Sequence, residues 1–405
     1  MRWVRRMPVQ GIWLILWSGA ALVLVSVMVG LLLGASPKAL TLQYFSQDFL
    51  SLAAGYERSR LVLYLVDRVL VLGFLLFMTL KVLSWRVEPR LSLPAAAGYI
   101  ALFFILLYLI TLPLDFYRGF VLEHRFNLST QTWGSWLLDS LKAAGISLMI
   151  STILFTGFYL LMGLAPRSWW LWAGLLFSAF VLLATYLFPV LIDPLFYKFS
   201  PLDNKNLEGR ILSMAEEAGI SVDQVLVADA SRRTVKANAY FTGIGSSKRI
   251  VLFDNLLNNF SEEQVLVVVA HEMGHWRHNH ILKNILMSSV FTLFLLYFLK
   301  NLLASMNLNS GGLKPLLVAF LFFSLLSLAA QPLQNLMSRS FERQADQDAL
   351  SLTQNPQAFI ELKQNLAVAN LSVVQPHPLI KAALYSHPPI IERIAVAEKK
   401  LSSSP

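Results

Sequence analysis

The chain has 405 residues, of which 56% are apolar and only 14% charged, with a mean hydropathy of +0.57. A soluble globular protein carries roughly 25% charged residues, so this composition excludes an ordinary soluble domain and points to several membrane spans. The net charge of +9 comes without a Lys/Arg-rich stripe, which argues against nucleic-acid binding and for contact with anionic lipid head groups. Cysteine is absent. That excludes a thiol nucleophile, a disulfide framework and a Cys-ligated metal, so any metal site must use His, Asp or Glu.

In chain order, Met1-Arg2-Trp3-Val4-Arg5-Arg6 runs into an apolar stretch at 11–34. A signal peptide has an apolar region of only roughly 7–15 residues, so a retained first span is expected here. Six more spans are expected near 61–83, 95–114, 143–164, 169–192, 281–300 and 313–334, each close to the ~20 residues a bilayer requires. Trp85, Trp133, Trp169, Trp170 and Trp172 lie near span ends, as an interfacial belt would. Asp67 and Arg68 interrupt the second span and are expected to face a polar cavity or each other.

Two stretches, 195–280 and 335–405, do not read as membrane. Within the first, Asn206 to Glu217 has the pattern of an amphipathic helix closed by Gly219. Val225-Leu226-Val227, Lys236 to Phe241 and Arg249 to Phe253 read as strands, the last two joined into a hairpin by Gly243-Ile244-Gly245-Ser246-Ser247. Ser261 and Gln264 form a capping box that opens a helix running into a His-rich segment. The expected division is a membrane domain at 1–194 with five spans and a catalytic domain at 195–405, interrupted by the last two spans. Its two polar pieces must meet in space if they share a site, pinned to the bilayer by a helical hairpin. The Ser402-Ser403-Ser404 tail is expected to fray.

The chemistry lies in His271-Glu272-Met273-Gly274-His275. Histidines four apart on a helix project from one face, one turn apart, and can reach one zinc ion. Glu272 beside them can take a proton from metal-activated water. On this chain's own His and Glu frequencies the pattern is expected by chance about 0.004 times, which favours a metal site over a solvated His-rich helix end, although His278 and His280 nearby fit that alternative. Catalytic zinc takes three protein ligands and leaves one position open. The candidate third ligand is Glu342. Asp346, one turn on, can accept the free ring N–H of a ligand histidine. The plain alternative is a surface helix in which Glu342 and Asp346 pair with Arg339 or Arg343.

His387, in Ser386-His387-Pro388-Pro389, and Arg393 after it can hydrogen-bond the oxyanion formed when water attacks a peptide carbonyl. The alternative is a Pro-initiated surface helix with an ordinary Arg. His377 has a similar His-Pro pairing without a matching Arg and is assigned no role. Lys236 to Phe241, with Asn238, Ala239 and Tyr240 at its centre, can be an edge strand that pairs with substrate backbone, or an ordinary hairpin strand.

These residues together resemble the type I CAAX prenyl endopeptidases, integral membrane zinc metalloproteases of yeast, animals and many bacteria. The match is end to end. It includes Phe120-Val121-Leu122-Glu123-His124-Arg125-Phe126-Asn127 with Thr130-Gln131-Thr132, and Pro194-Leu195-Phe196 with Phe199-Ser200-Pro201-Leu202. It continues through Asn238 to Phe241, Lys248 to Asp254, His271 to Trp276, Phe341-Glu342 with Ala345-Asp346, Ser386 to Pro389 and Glu392-Arg393. The resemblance implies a mainly α membrane protein of about seven transmembrane helices, joined to a zincin-like α+β metalloprotease domain split by a membrane hairpin. It implies a water-filled chamber that the site faces, one zinc ion on His271, His275 and Glu342, and Glu272 as catalytic base. It also implies that Asn238, His387 and Arg393 hold substrate and stabilise the transition state. In that family the reaction removes a C-terminal tripeptide after a prenylated cysteine. In a bacterial host the expectation broadens to endoproteolysis of membrane or lipid-modified proteins. This chain is compact, with no long insertion between Asp254 and Ser261. A shorter bacterial branch, used in membrane quality control, shares the metal helix, but the 115–132 segment favours the first branch.

The expected function is therefore metal-assisted hydrolysis of peptide or protein substrates, some of them lipid-modified, by an integral multi-pass membrane protein with lipid contacts and no nucleic-acid partner. The rival class is a transporter or lipid-handling protein with a structural zinc, which four protein ligands would close; three good ligands are found. Counting Lys and Arg near short loops gives nine on the N-terminal side and six on the other, which would put the catalytic domain outside the cytoplasm. The family resemblance implies a cytoplasm-facing catalytic domain, in the inner membrane of a bacterium, and is preferred over a margin of three charges.

Overall fold

The computed structural model describes residues 9–85, 91–242, 248–308 and 312–403. The first helices are α1 (Val9–Leu33), the short α2 (Ala39–Tyr44), α3 (Gln47–Leu83) and α4 (Leu93–Phe116). A π-helical turn at Tyr117–Val121 carries α4 on into α5 (Leu122–Arg125), followed by α6 (Trp133–Leu164) and α7 (Trp169–Leu191). Next come β1 (Phe199–Pro201), α8 (Lys205–Glu217), β2 (Gln224–Ala228), β3 (Ala239–Thr242), β4 (Arg249–Phe253) and α9 (Asp254–Asn259). The chain ends with α10 (Glu262–Arg277), α11 (His280–Ser305), α12 (Leu313–Thr353), α13 (Pro356–Ala369), α14 (Pro378–Leu384) and α15 (Ile390–Ser403).

Seven helices among the described residues are long and apolar enough to cross a membrane: α1, α3, the α4–α5 run, α6, α7, α11 and α12. This is the expected number, but several helices are longer than the apolar stretches that reveal them. The second begins at Gln47 rather than 61, where Ser46 accepts a cap bond from the Phe49 N–H. Its 37 residues span about 55 Å, well beyond a hydrocarbon core of roughly 30 Å, so its polar first turns project from the membrane. Within it, Asp67 and Arg68 meet each other at 2.8 Å. The fourth begins at Trp133, capped by Thr132, rather than at 143. The last is one helix of 41 residues that continues past Pro332 into the polar segment carrying Glu342. Hydropathy marks where lipid contact ends, not where helical hydrogen bonding ends.

A four-stranded sheet of order β1-β2-β4-β3 lies beside these helices, with β2 and β4 parallel and both outer strands antiparallel to their neighbours. β1 was not expected. β3 is confined to Ala239–Thr242, so Lys236, Ala237 and Asn238 lead into it rather than belong to it. The expected turn at 243–247 and the basic residues Arg2, Arg5, Arg6, Arg86 and Arg90 lie outside the described residues. α8 ends at Gly219, whose φ of +72° suits glycine. Ser261 caps α10 as expected, but Gln264 does not close the box: its side-chain oxygen accepts from Asn365 of α13 at 3.2 Å.

The two polar pieces do meet. One core, holding Ile250, Leu252, Val267, Met273, Phe359 and Leu362, joins sheet, α10 and α13, while a second lies among the spanning helices around Ile100, Leu299 and Phe322. The hairpin of α11 and α12 is splayed. α11 lies on α7, where Gly174 meets Leu293, and α12 runs past α1 and α3 and along α10.

Candidate metal centre

α10 and α12 cross so closely that a Cβ built on Gly274 would sit 2.8 Å from the Ala345 Cα. Real side chains do not tolerate that distance, so the glycine in the metal motif is what lets the two helices touch. The contact brings His271 and His275 of α10 over Glu342 of α12. The two Nε2 atoms are 3.3 Å apart. His271 Nε2 lies 3.3 Å from Glu342 Oε2, and His275 Nε2 3.3 Å from Glu342 Oε1. These three residues form a group whose ligand-type atoms all fall within 4.8 Å of one another. Glu342 Oε2 is buried with no hydrogen-bond partner. Burial alone would push the His271 imidazole down, but the Asp346 and Glu342 carboxylates outweigh it and hold it above the usual range. The pocket is electrostatically arranged for positive charge.

Asp346 lies one turn beyond Glu342, its Oδ1 3.1 Å from His271 Nδ1. That contact is close but off the N–H axis, so it is a charge contact rather than a formed hydrogen bond. The same carboxylate takes two bonds from Arg393, and Lys363 of α13 approaches it at 3.6 Å. Arg339 pairs with neither acid; it binds the backbone carbonyls of Lys381 and Tyr385. The surface salt-bridge alternative for this segment is thereby removed: Arg339, Glu342 and Asp346 are all buried.

Glu272 is half-buried beside His271. Burial pushes its carboxyl up, against the pull of His271 and His275. His387 Nε2 lies 3.3 Å from Glu342 Oε1, and its Nδ1 meets Ser386 Oγ at 2.9 Å. Burial lowers the His387 imidazole, and Glu342 opposes that shift. His377, assigned no role, caps α14 by accepting from the Leu379 N–H. His387, Arg393 and Lys363 line a cavity of 610 Å³ together with Glu57, Arg60 and Tyr64 of α3. The strand β3 is an edge of the sheet. Asn238 is exposed just before it, Ala239 is buried, and the Tyr240 hydroxyl donates to Asp193 at 2.7 Å.

A family model described as Peptidase family M48 matches residues 201–401, and one described as CAAX prenyl protease N-terminal, five membrane helices, matches residues 34–198. The chain is 40% identical over 312 residues to a Bacillus subtilis (strain 168) protein named uncharacterized metalloprotease YhfN, covering 75% of this chain and 73% of that one. This chain belongs to peptidase family M48. The M48 peptidase is also 33% identical over 320 residues to CAAX prenyl protease 1 of Saccharomyces cerevisiae, covering 72% of this chain and 70% of that one. Its fold matches the crystal structure of S. mikatae Ste24p with a TM-score of 0.80 and 26% identity, over 94% of this chain and 98% of that one. It is an integral, multi-pass membrane metalloprotease resembling the CAAX prenyl proteases. The family implies a metal ion, and His271, His275 and Glu342 are the group among the described residues arranged to hold one.

Sequence reasoning missed Lys363 and the structural demand on Gly274. Lys363 is only 4% exposed. One signal was available: it shares the apolar face of α13 with Phe359, Ile360 and Ala367, where a solvated lysine would not lie. Burial, and then Arg393, push its ammonium down to about 8, against the pull of Asp346 and Glu342.

Proposed function

We propose that this M48 peptidase is a zinc endopeptidase that cleaves peptide bonds near lipid-modified termini of membrane-associated proteins. The observation that carries this reading is the triangle of His271, His275 and Glu342 beside the cavity. The two Nε2 atoms lie 3.3 Å apart, and each lies 3.3 Å from a different Glu342 oxygen, His271 from Oε2 and His275 from Oε1, spacings short enough for one zinc ion to be shared among the three side chains at bonds of roughly 2.0–2.2 Å. Two imidazoles and one carboxylate suit zinc, and with no cysteine in the chain they leave a corner free, as catalytic sites do. A zinc ion held there supplies a Lewis acid that polarises a carbonyl and makes water acidic near neutral pH.

The chain's own residues do the rest. Glu272, its carboxyl raised by burial, takes the proton from the attacking water and passes it to the leaving amine nitrogen. His387, at the cavity wall, donates its ring N–H to the carbonyl oxygen as negative charge develops there. Arg393 adds positive charge on the same side, and Asp346 orients His271. The edge strand β3, with Ala239 and Tyr240 at its start, offers a backbone edge to which the substrate backbone adds, and the exposed Asn238 just before it offers its side-chain amide. The catalytic part, 195–405, faces the cytoplasm in this reading, where its CAAX-protease relatives' named substrates suggest prenylated C-termini as the substrate class.

The test uses purified protein in proteoliposomes, with metal analysis and matched prenylated and unprenylated peptides. Glu272→Gln should retain one zinc per chain and lose at least about 1,000-fold in turnover. An active Glu272→Gln enzyme, or zinc bound without hydrolysis of either peptide by the native chain, would overturn the assignment.

A further inference from the structure

Two more histidines follow the metal motif, and their fates differ. His278 is half-buried and pairs with Asp348 at 3.2 Å. His280 is 2% exposed. Between them Asn279 adopts a left-handed conformation, φ 52° and ψ 38°, which Asn tolerates better than most residues. The chain turns there, and the first residue of α11 swings in behind His275. His280 Nδ1 comes to lie 3.0 Å from His275 Nδ1, and His280 Nε2 3.1 Å from Gln344 Oε1. The His280 ring stacks on Phe341, centroids 4.2 Å apart and planes 14° apart. Phe341 and Gln344, which hold His280, flank the ligand Glu342 on α12.

Two ring nitrogens at 3.0 Å share one proton, and the direction of sharing is fixed by what lies at each end. His275 turns Nε2 to the ligand triangle, so its proton is on Nδ1. The acceptor is then a bare Nδ1 on His280. That leaves the His280 proton on Nε2, where the Gln344 amide oxygen accepts it. The reverse arrangement would put a proton on His275 Nε2 and remove it from the ligand set. We infer that His280 is a positioning residue for the metal: Gln344 and His280 form a relay that holds His275 in its Nδ1–H tautomer with Nε2 bare and aimed at the ion. The inference rests on the metal-centre reading above and deepens it. The two ligand histidines are thus backed differently, His271 by the Asp346 carboxylate and His275 by a neutral imidazole–amide pair. The neutral pair keeps a fourth carboxylate out of a centre that already holds Glu272, Glu342 and Asp346.

The test is zinc affinity, measured on full-length protein stripped with a chelator and titrated with Zn²⁺ against a competing chromophoric chelator. His280→Ala and Gln344→Leu should each weaken binding roughly 10- to 100-fold. His280→Asn places an amide oxygen where Nδ1 stood and should stay within about threefold of the native protein. Because Gln344 acts through His280, the double variant His280→Ala/Gln344→Leu should bind no more weakly than His280→Ala alone. Native affinity in both His280→Ala and Gln344→Leu would overturn the relay. So would a loss in His280→Asn as large as in His280→Ala, or fully additive losses in the double variant. Should His280→Ala fail to fold, the contrast between Gln344→Leu and His280→Asn decides alone. A native chain that binds no zinc would overturn the metal centre and the relay together; tight native binding that every variant shares would overturn only the relay.

Discussion

Arg393 closes on Asp346 through two hydrogen bonds, Nε to Oδ2 at 2.7 Å and Nη2 to Oδ1 at 2.5 Å. The pair joins α15 to α12 one turn beyond Glu342, and both partners are buried. Two of the three guanidinium nitrogens are therefore committed to the frame of the site, and Nη1 is the one left for the cavity. Arg393→Lys keeps the charge but cannot reproduce the fork. It should fold, keep its zinc and lose roughly 10-fold or more in kcat. Arg393→Ala leaves Asp346 buried without its fork and should destabilise the protein by about 3–5 kcal/mol. Steady-state kinetics with parallel metal analysis and thermal unfolding separate the two; native kcat in Arg393→Lys would show that charge alone suffices.

Gly274→Ala tests the closeness of α10 and α12. The added methyl would meet the Ala345 backbone at 2.8 Å and the Asp348 Cβ at 3.1 Å, and backbone cannot step aside as a flexible side chain can. Overpacking of this kind costs about 1–3 kcal/mol. Because the contact sits one residue before His275 and three after Glu342, prising the helices apart also opens the ligand triangle. A lower melting temperature together with weaker zinc binding is the expected result; a stable variant with native zinc affinity would mean that the crossing can widen without moving the ligands.

The parts of this site that were legible in the sequence are those that obey one helix's own geometry. His271 and His275 four apart, Glu342 and Asp346 four apart, and Ser261 as a cap can all be read without knowing what lies opposite. The residues that were not legible act across elements. Gly274 matters because of Ala345, Lys363 because of Asp346, and Arg339 because of the end of α14. The same division governs the fold. The seven spanning helices follow from hydropathy, but the true starts of α3 and α6 and the unbroken course of α12 do not, because helical bonding runs on through polar residues. β1 was missed because three residues are too few to show an alternating pattern, and its existence depends on β2 to pair with.

Lys363 gives a pH signature. Its ammonium is pushed from 10.5 to about 8 in the folded protein, chiefly by burial. In the unfolded chain it holds its proton up to the ordinary lysine range. Between about 8 and 10.5 the unfolded state therefore binds more protons, and this residue's contribution to stability rises with pH across that window. Below pH 8 both states are protonated and the burial penalty is present in full. The expected gain across the window is about 3 kcal/mol at most. Lys363→Met removes the titration, so the native-minus-variant difference in unfolding free energy should climb from pH 8 to 10; a difference that is flat or falling would contradict the assignment.

Arg339 bears on how His387 reaches the site. It is 6% exposed on α12, and its Nη1 donates to the carbonyls of Lys381 at 3.1 Å and Tyr385 at 2.5 Å. Asn335, one turn earlier, donates to the Ala383 carbonyl at 2.7 Å. These oxygens lie at the C-terminal end of α14, where partial negative charge collects, and the Lys381 carbonyl also accepts from the Tyr385 N–H at 3.3 Å. The Tyr385 hydroxyl meanwhile meets Glu57 of α3 at 3.0 Å. The segment leading to His387 is thus tied to the same helix that carries Glu342, which fixes the 3.3 Å approach of one to the other. Arg339→Met fills similar space but takes the donor from the Tyr385 carbonyl, at about 1–3 kcal/mol, while the Lys381 carbonyl keeps the Tyr385 N–H. With the ligands untouched, zinc stoichiometry should stay at the native value while kcat falls roughly 10- to 100-fold, the cost of a misplaced catalytic group. Asn335→Leu should show the same pattern more weakly, because Arg339 still holds the turn at Tyr385. Loss of zinc in Arg339→Met would instead mean that the guanidinium supports α12 itself, and native kcat would mean that His387 is held by the prolines that follow it.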